Sequence, residues 1–312
     1  MKWSCLVLIT CCVTAWAADT QPAEPRRVTL VTTPHPTYLS AAKVIEESLA
    51  KSGVHLSRLE LKEKTPQFAR ELRKTNPDLI ITVGSIATET VLTDGPNVPV
   101  VHSMVPNAAD LVLPNENDQA TKRTTGVTTD VSPTDQLAWI AMLAPEVRTI
   151  GLPYSDNTAQ TMRALQAEAK VKNLVVVPIP SQKDEFSKTL KTLSERNCQA
   201  VLMLPDAGVY NSPNVQALLL WGLRQKRPVW SFSPNIVKAG AFGAQYSDTD
   251  EVARQTAELV MHILAGRDIA KTNLQYANSI HTAINIRTAA MIGLPVGEET
   301  LEKVDERFGD KQ

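Results

Sequence analysis

The stretch DLIITVGSIATETVL (Asp78 to Leu92) contains the pattern that decides the fold. Leu79 to Val83 is apolar at nearly every position, which is typical of a strand covered on both faces. A Gly-Ser turn follows, and Ser85 to Leu92 has helical periodicity. A buried strand that turns directly into a helix is the repeating unit of a parallel α/β sheet.

The same alternation of short β-branched runs and helical stretches extends from Arg27 to the end of the chain. It predicts right-handed crossovers and mainly parallel sheets. A polar, irregular segment from Pro106 to Arg123 interrupts the alternation, which then restarts. The final element is predicted as a helix from Glu298 to Phe308.

Two α/β lobes of similar size are the simplest interpretation. We expect residues 26–126 and 248–276 to form lobe 1, and residues 127–247 and 277–312 to form lobe 2. Each lobe is predicted to hold a mainly parallel sheet flanked by helices. We expect a ligand cleft between the lobes and expect the chain to cross between them more than once.

The N-terminus has the pattern of a secretory signal peptide, residues 1–17, cut near Ala17. An alternative is lipid attachment at Cys11, because Leu8 to Cys11 approximates a lipobox. The apolar run Leu6 to Val13 is shorter than the roughly 20 residues that a membrane span needs. The chain is therefore expected to be exported to the periplasm.

The charge and the cysteine content of the chain limit the kinds of binding partner and the covalent cross-links that we expect. The formal net charge is -1 and the sequence lacks long Lys/Arg runs, so a nucleic-acid partner is not expected. After the signal, Cys198 is the only remaining cysteine, which excludes an internal disulfide. Neither a metal motif nor a cofactor motif is present, and a small-molecule ligand is the expected partner.

Candidate ligand contacts lie where predicted strands end, because ligands meet parallel sheets at the carboxyl ends of their strands. Asp156 and Asp206 each follow a strand of the second lobe and are candidates to neutralise an ammonium group. The alternative is that each simply opens a turn and caps the next helix. Trp139, Trp221 and Trp230 are predicted to be core residues. The remaining candidates in these loops are His35, Asn107, Tyr154, Tyr210, Ser233 and Tyr246.

The turn at Gly84 and Ser85 allows several chemical interpretations. A nucleophile elbow requires a second glycine after the serine, where this chain has Ala87, and a phosphate loop requires a lysine. Two interpretations stay open. Ser85 and Thr88, with the helix N-terminus, could hold a ligand carboxylate, or Ser85 could simply cap its helix.

Several segments together resemble the solute-binding proteins of a bacterial ABC importer family, whose members include binders of tryptophan and other aromatic amino acids. The resemblance is collinear over nearly the whole mature chain and rests on DLIITVGSIATETVL, VPVVHSMVPN (Val98 to Asn107), QAVLMLPDAGVY (Gln199 to Tyr210) and INIRTAAMIGLPV (Ile284 to Val296), among others.

The resemblance implies a type I periplasmic-binding fold that closes on its ligand by hinge motion and docks on a membrane permease. It also implies ligand roles for residues in three turns, namely Ser85, Ala87 and Thr88, then Tyr154, Asp156 and Asn157, and Asp206. Two places depart from the family pattern. The segment Met104 to Ala109 lacks the usual acidic residue and glycine, and Asn115 to Arg123 is longer and more polar than usual.

The sequence thus predicts an exported, non-enzymatic and monomeric binding protein that delivers a small polar ligand, for which an amino acid is one candidate, to an ABC importer. The alternative is a ligand-sensing or adaptor module of a signalling receptor or kinase. A hydrolase is disfavoured, because the sequence offers no paired nucleophile and base.

Overall fold

The computed structural model describes residues 26–111 and 123–309. The predicted signal peptide, the alternative lipid site at Cys11 and most of the polar segment Asn115 to Arg123 lie outside the described residues.

The described residues form strands and helices in alternation over most of their length. The strands are β1 Arg27–Thr32, β2 His55–Glu60, β3 Leu79–Val83, β4 Val100–Val105, β5 Thr124–Thr128, β6 Thr149–Tyr154, β7 Val175–Pro180, β8 Ala200–Leu202, β9 Val229–Ser231, β10 Gly243–Ser247, β11 Ile280–Asn285 and β12 Glu306–Phe308. The helices are α1 Pro36–Leu49, α2 Pro66–Lys74, α3 Ser85–Asp94, α4 Pro133–Leu143, α5 Ala159–Val171, α6 Phe186–Glu195, α7 Ser212–Gln225, α8 Pro234–Lys238, α9 Thr249–Leu264, α10 Ile286–Ile292 and α11 Glu298–Leu301.

In residues 26–111 and 123–309 the strands make a five-stranded sheet, β2-β1-β3-β4-β5, and a seven-stranded sheet, β12-β11-β10-β9-β8-β6-β7. The pairs within the first sheet are parallel. In the second sheet β10 and β11 are antiparallel, and the other pairs are parallel. The predicted architecture of two mainly parallel sheets is confirmed.

The apolar strand β3 is buried on both faces because its side chains alternate between two cores. Ile81 and Val83 pack with α1 and α9 on one face of the first sheet. Ile80 packs with Phe68 of α2 and Val91 of α3 on the other face. The first sheet, α1 to α3 and α9 are called the first lobe below.

The second sheet is covered in the same way. Leu202 and Ile150 pack with α4 and α5 on one face. Val201 and Val229 pack with α6 and α7 on the other face. The second sheet and the remaining helices are called the second lobe.

The described chain passes between the lobes at three places, as β5 leads to α4, as β10 leads to α9, and as Gln275 leads to β11. These three crossovers lie side by side. The Ser247 hydroxyl donates to the Thr129 carbonyl at 3.0 Å, and the Asp248 N–H donates to the Ser279 carbonyl at 3.3 Å. The predicted lobe boundaries stay a prediction, although β5 continues in the first sheet to Thr128.

The structure corrects the predicted C-terminal helix. Helix α11 ends at Leu301, and Glu306–Phe308 forms strand β12 beside β11. The reason is tertiary, because backbone pairing with an available sheet edge outweighs local helix propensity. Strand β10 has no clear apolar alternation and was also missing from the sequence prediction.

None of the helices in the described part of the chain is both long enough and apolar enough to cross a membrane.

Candidate functional site

A cavity of about 270 Å³ lies at the junction of the two lobes. Its floor is made of the carboxyl ends of β8, β9 and β10 of the second lobe. One side is α4, and another is the first crossover, Thr129 to Val131, with Pro106 beyond β4. The cavity thus occupies the edge of the sheet at which parallel α/β proteins place their ligands.

Four aromatic side chains contribute to the described walls of the cavity. Trp139 of α4 and Trp230 of β9 line it, together with Phe232 and Tyr246. Trp230 is held edge-to-face against Phe242, with ring centroids 5.1 Å apart. Its indole N–H is buried and has no hydrogen-bond partner in the described residues. Rigid aromatic walls of this kind suit a ligand with an apolar body.

Asp130 lies in the lining of this cavity, two residues after β5. The Thr128 hydroxyl donates to Asp130 Oδ2 at 2.7 Å. Burial raises the pKa of Asp130, although hydrogen bonds from the backbone N–H groups of Asn107 and Ala108 and from Thr128 partly oppose that shift. Asp130 also braces the turn beyond β4, which is left-handed at Asn107 with φ 49°.

The turn beyond β4 connects the two lobes. Asn107 Nδ2 donates to the Pro205 carbonyl of the second lobe at 2.6 Å, and Asn107 Oδ1 is buried without a partner among the described residues. The Asp110 carboxylate accepts from the Thr161 N–H at 2.9 Å and the Thr161 hydroxyl at 2.7 Å, and also from the Gln160 N–H. Asp110 therefore sits at the N-terminus of α5, where the helix dipole favours a negative charge.

Two of the residues predicted to bind ligand line this cavity, Ser233 and Tyr246. Ser233 precedes α8, and its hydroxyl accepts from the Asn235 N–H at 3.3 Å. Tyr246 donates its hydroxyl to Glu306, and its ring lies 5.7 Å from that of His281. Burial raises the pKa of Tyr246, and the bond to Glu306 raises it further.

The turn at Ser85 lies outside the cavity lining. Helix α3 begins at Ser85 as predicted, but its N-cap is Gly84, so the capping interpretation of Ser85 is wrong. The Ser85 hydroxyl makes no hydrogen bond to the described residues and stays free for a ligand. Gly84 has φ +87°, and a Cβ added there would lie 2.7 Å from the Tyr38 ring, so the turn requires glycine.

The two other residues of that turn do not present their side chains to a ligand. Ala87 is fully buried in a core cluster of the first lobe. Thr88 is also fully buried, and its hydroxyl donates to the Gly84 carbonyl at 2.9 Å and pairs with the Thr82 hydroxyl at 2.8 Å. The prediction that the Thr88 hydroxyl contacts a ligand carboxylate does not fit this structure, because the hydroxyl is buried and bonds to Gly84 and Thr82.

Asp206 is a brace inside the second lobe. It is 3% exposed and accepts from the Ser155 N–H and hydroxyl, the Thr158 hydroxyl and the Gly208 N–H, at 2.7 to 2.9 Å. These four donors occupy both oxygens of the carboxylate, so the predicted role of Asp206 as partner of an ammonium group does not fit this structure. The alternative prediction, that Asp206 opens a turn, fits the hydrogen bond that it accepts from the Gly208 N–H.

The remaining candidates are spread over the strand-end loops, outside the cavity lining. Asp156 and Asn157 are exposed, and Tyr154 is half-buried at the end of β6. His35 is exposed before α1, with its ring 5.1 Å from that of Tyr38. Tyr210 packs in the core against Phe186, with ring centroids 5.9 Å apart, and its hydroxyl is buried without a described partner. Burial raises the pKa of Tyr210.

Asp130, Trp139 and Trp230 line the cavity but are not among the ligand contacts that the sequence predicts. Both tryptophans are buried as predicted, but each also borders the cavity. The signal that could have found Asp130 is its position two residues after the β-branched stretch Thr124 to Thr128, because the rule that ligands meet the carboxyl ends of parallel strands applies there as well.

Two α/β lobes, three adjacent crossovers and a cavity at their junction define a protein of the type I periplasmic-binding class. The ABC transporter substrate binding protein family model matches residues 28–307, and the chain belongs to that family. No curated protein matches the chain significantly.

Three solved structures share the fold. The chain is similar to an ABC domain from Streptococcus pneumonia in complex with L-Trp, with 18% identity over 91% of this chain and 100% of that one and a TM-score of 0.62. A conserved domain protein from Vibrio cholerae matches with the same coverage, 19% identity and a TM-score of 0.63. A substrate-binding protein with adhesive properties from Clostridium difficile, in its ligand-free, open form, has 16% identity, a TM-score of 0.68 and the same coverage.

Proposed function

We propose that this protein is the exported solute-binding component of an ABC importer and that it captures a small solute in the cavity at the junction of its lobes. The cavity carries this proposal. It combines aromatic walls with one carboxylate and several neutral polar groups, which is the make-up of a small-molecule site.

An amino acid is a candidate ligand, because the similar Streptococcus structure was solved with L-Trp. The free hydroxyl of Ser85, the loop at His35 and the exposed pair Asp156 and Asn157 remain proposed contacts from the cleft edges. Closure of the lobes about the three crossovers would bring such loops nearer to a bound solute.

Export depends on a signal peptide cut near Ala17, and delivery on a membrane permease that recognises the loaded protein. We propose that the protein acts as a monomer in the periplasm. The family is one of substrate-binding proteins rather than enzymes, which agrees with a binding role.

A melting panel tests this function. The mature protein is heated with single amino acids, amines, sugars and organic acids, and at least one solute is expected to raise the melting temperature, because a ligand that binds only the native state stabilises it. If a broad panel gives no shift with any solute, the proposed function is contradicted.

A further inference from the structure

The cavity has an unbalanced charge. Asp130 is the one carboxylate in its described lining, which contains neither lysine, arginine nor histidine. The other ionisable group there, Tyr246, already donates its hydroxyl to Glu306. A ligand in the cavity therefore meets one carboxyl group, which already accepts from the Thr128 hydroxyl and from the Asn107 and Ala108 N–H groups, and no described positive charge.

The surroundings of Asp130 strengthen this asymmetry. The same lining includes Val131 and Ile140, 6% and 1% exposed, and Trp139. A charge beside such surfaces is poorly solvated, so a cationic partner gains more there than at the protein surface. Aromatic faces also attract cations through their quadrupoles.

A ligand carboxylate finds no charged partner in the described lining, where the unpaired indole N–H of Trp230 is a neutral donor. The Ser231 hydroxyl donates to the Ser233 carbonyl, and the Ser247 hydroxyl donates to the Thr129 carbonyl. An anionic group in the cavity would have to lose its water opposite Asp130.

We propose that the cavity recognises the ammonium group of a small apolar amine through Asp130, and that the ligand needs no carboxylate. The apolar body of the amine lies against the aromatic walls. This inference rests on the proposed function and specifies its ligand class.

The test is calorimetric titration of the mature protein with four compounds that share a phenyl body. They are phenethylamine, L-phenylalanine, 3-phenylpropionate and 3-phenylpropan-1-ol. We expect phenethylamine to bind most tightly, 3-phenylpropanol weakly, and 3-phenylpropionate not at all. L-Phenylalanine is expected to bind at least about tenfold more weakly than the amine, because its carboxylate lacks a charged partner.

The variant Asp130→Asn keeps the shape of the side chain and removes its charge. It should weaken the binding of phenethylamine about tenfold or more and leave the binding of 3-phenylpropan-1-ol unchanged. A loosened turn would instead weaken the binding of both compounds, so the two compounds together distinguish it from a lost charge. The matched control is Asp184→Asn, an exposed aspartate outside the cavity lining, which should bind both compounds as the wild type does.

Tighter binding of L-phenylalanine or 3-phenylpropionate than of the amine would overturn the inference. Unchanged binding of the amine to Asp130→Asn, or equal losses for the amine and the alcohol, would overturn it as well. In those cases the proposed function still stands if some solute of the melting panel binds. Both proposals fall together only if neither the four compounds nor the panel shows binding.

Discussion

Asp130 and Asp206 show how the partners of a carboxylate decide its role. Both aspartates follow strands at the carboxyl edge of a sheet. Asp206 is enclosed by donors from its own turn and from the turn after β6, whereas Asp130 keeps part of its surface in the cavity. The sequence identified Asp206 as a loop carboxylate but not its role, because two of its partners, Ser155 and Thr158, lie about fifty residues earlier in the chain.

The first prediction concerns Asp206. In the wild type, four donors bond to the Asp206 carboxylate. In Asp206→Asn an amide NH₂ replaces one of the two acceptor oxygens and faces some of those donors. We expect Asp206→Asn to lower the free energy of unfolding by about 2–4 kcal/mol, because buried donors lose their acceptor. Urea unfolding followed by circular dichroism measures this change. The exposed Asp184→Asn is the control, and equal stability of the two variants would refute the bracing role.

At the scale of elements, sequence patterns predicted the strands that are buried on both faces. Runs such as Leu79–Val83 are apolar throughout because helices cover them on both sides. Strand β10 and strand β12 escaped prediction because long-range pairing with β11, rather than their own composition, places them in the sheet. The sequence predicts that a site lies at the strand ends but not which residues line the cavity, because its walls come from α4, three strands and a crossover that are distant in the sequence.

The crossovers carry a charged cluster centred on His281 of β11. Its Nε2 lies 3.2 Å from Asp248, which precedes α9, and its Nδ1 lies 3.3 Å from Asp305. Hydrogen bonds to Asp248 and then to Asp305 raise the pKa of His281, against the smaller effect of its partial burial. The pair with Asp248 thereby connects two of the three crossovers.

This cluster predicts a dependence of stability on pH. The raised pKa means that the native state binds the His281 proton more tightly than the unfolded chain, so the contribution is complete below about pH 6.5 and disappears as the pH rises through the higher native value. It is also lost in acid, where Asp248 and Asp305, whose pKa values lie below 3.8, take up protons. The side chains of His281 and Asp248 are 36% and 34% exposed, so screening by water keeps the effect below about 1 kcal/mol.

Urea unfolding of wild type and His281→Gln between pH 5 and pH 9 tests this dependence. The difference in stability between them should be largest near pH 5 to 6 and should shrink toward pH 9. His55→Gln, at an exposed position at the start of β2, is the control. A difference that grows with rising pH would have the wrong sign and would refute the role of the cluster.

At the scale of the whole molecule, the turn beyond β4 joins the lobes on the side of the cavity, in addition to the three crossovers. Asp110 binds the N-terminus of α5 through Gln160 and Thr161, and Asn107 bonds to Pro205. A change in the arrangement of the lobes would break these hydrogen bonds, so the bonds stabilise the arrangement in which they form. They are therefore expected to bias the equilibrium between open and closed forms.

Asp110→Asn should shift that equilibrium toward a more open form, because it removes the charge at the α5 N-terminus and leaves a single acceptor oxygen. Small-angle scattering of the ligand-free protein should then give a larger radius of gyration than that of the wild type. Asp184→Asn should leave the radius unchanged. An unchanged radius for Asp110→Asn would mean that the bridge does not control the arrangement of the lobes.

The central claim is that one small solute binds in the cavity at the lobe junction. Calorimetric titration of the most stabilising solute of the melting panel into wild type and Gln245→Trp tests it most directly, because Gln245 lines the cavity and an indole there fills the space. We predict one site per chain in the wild type, loss of binding in Gln245→Trp, and normal binding in the control Leu220→Trp, whose position is 46% exposed on α7. Equal binding of the solute to wild type and Gln245→Trp would contradict the claim.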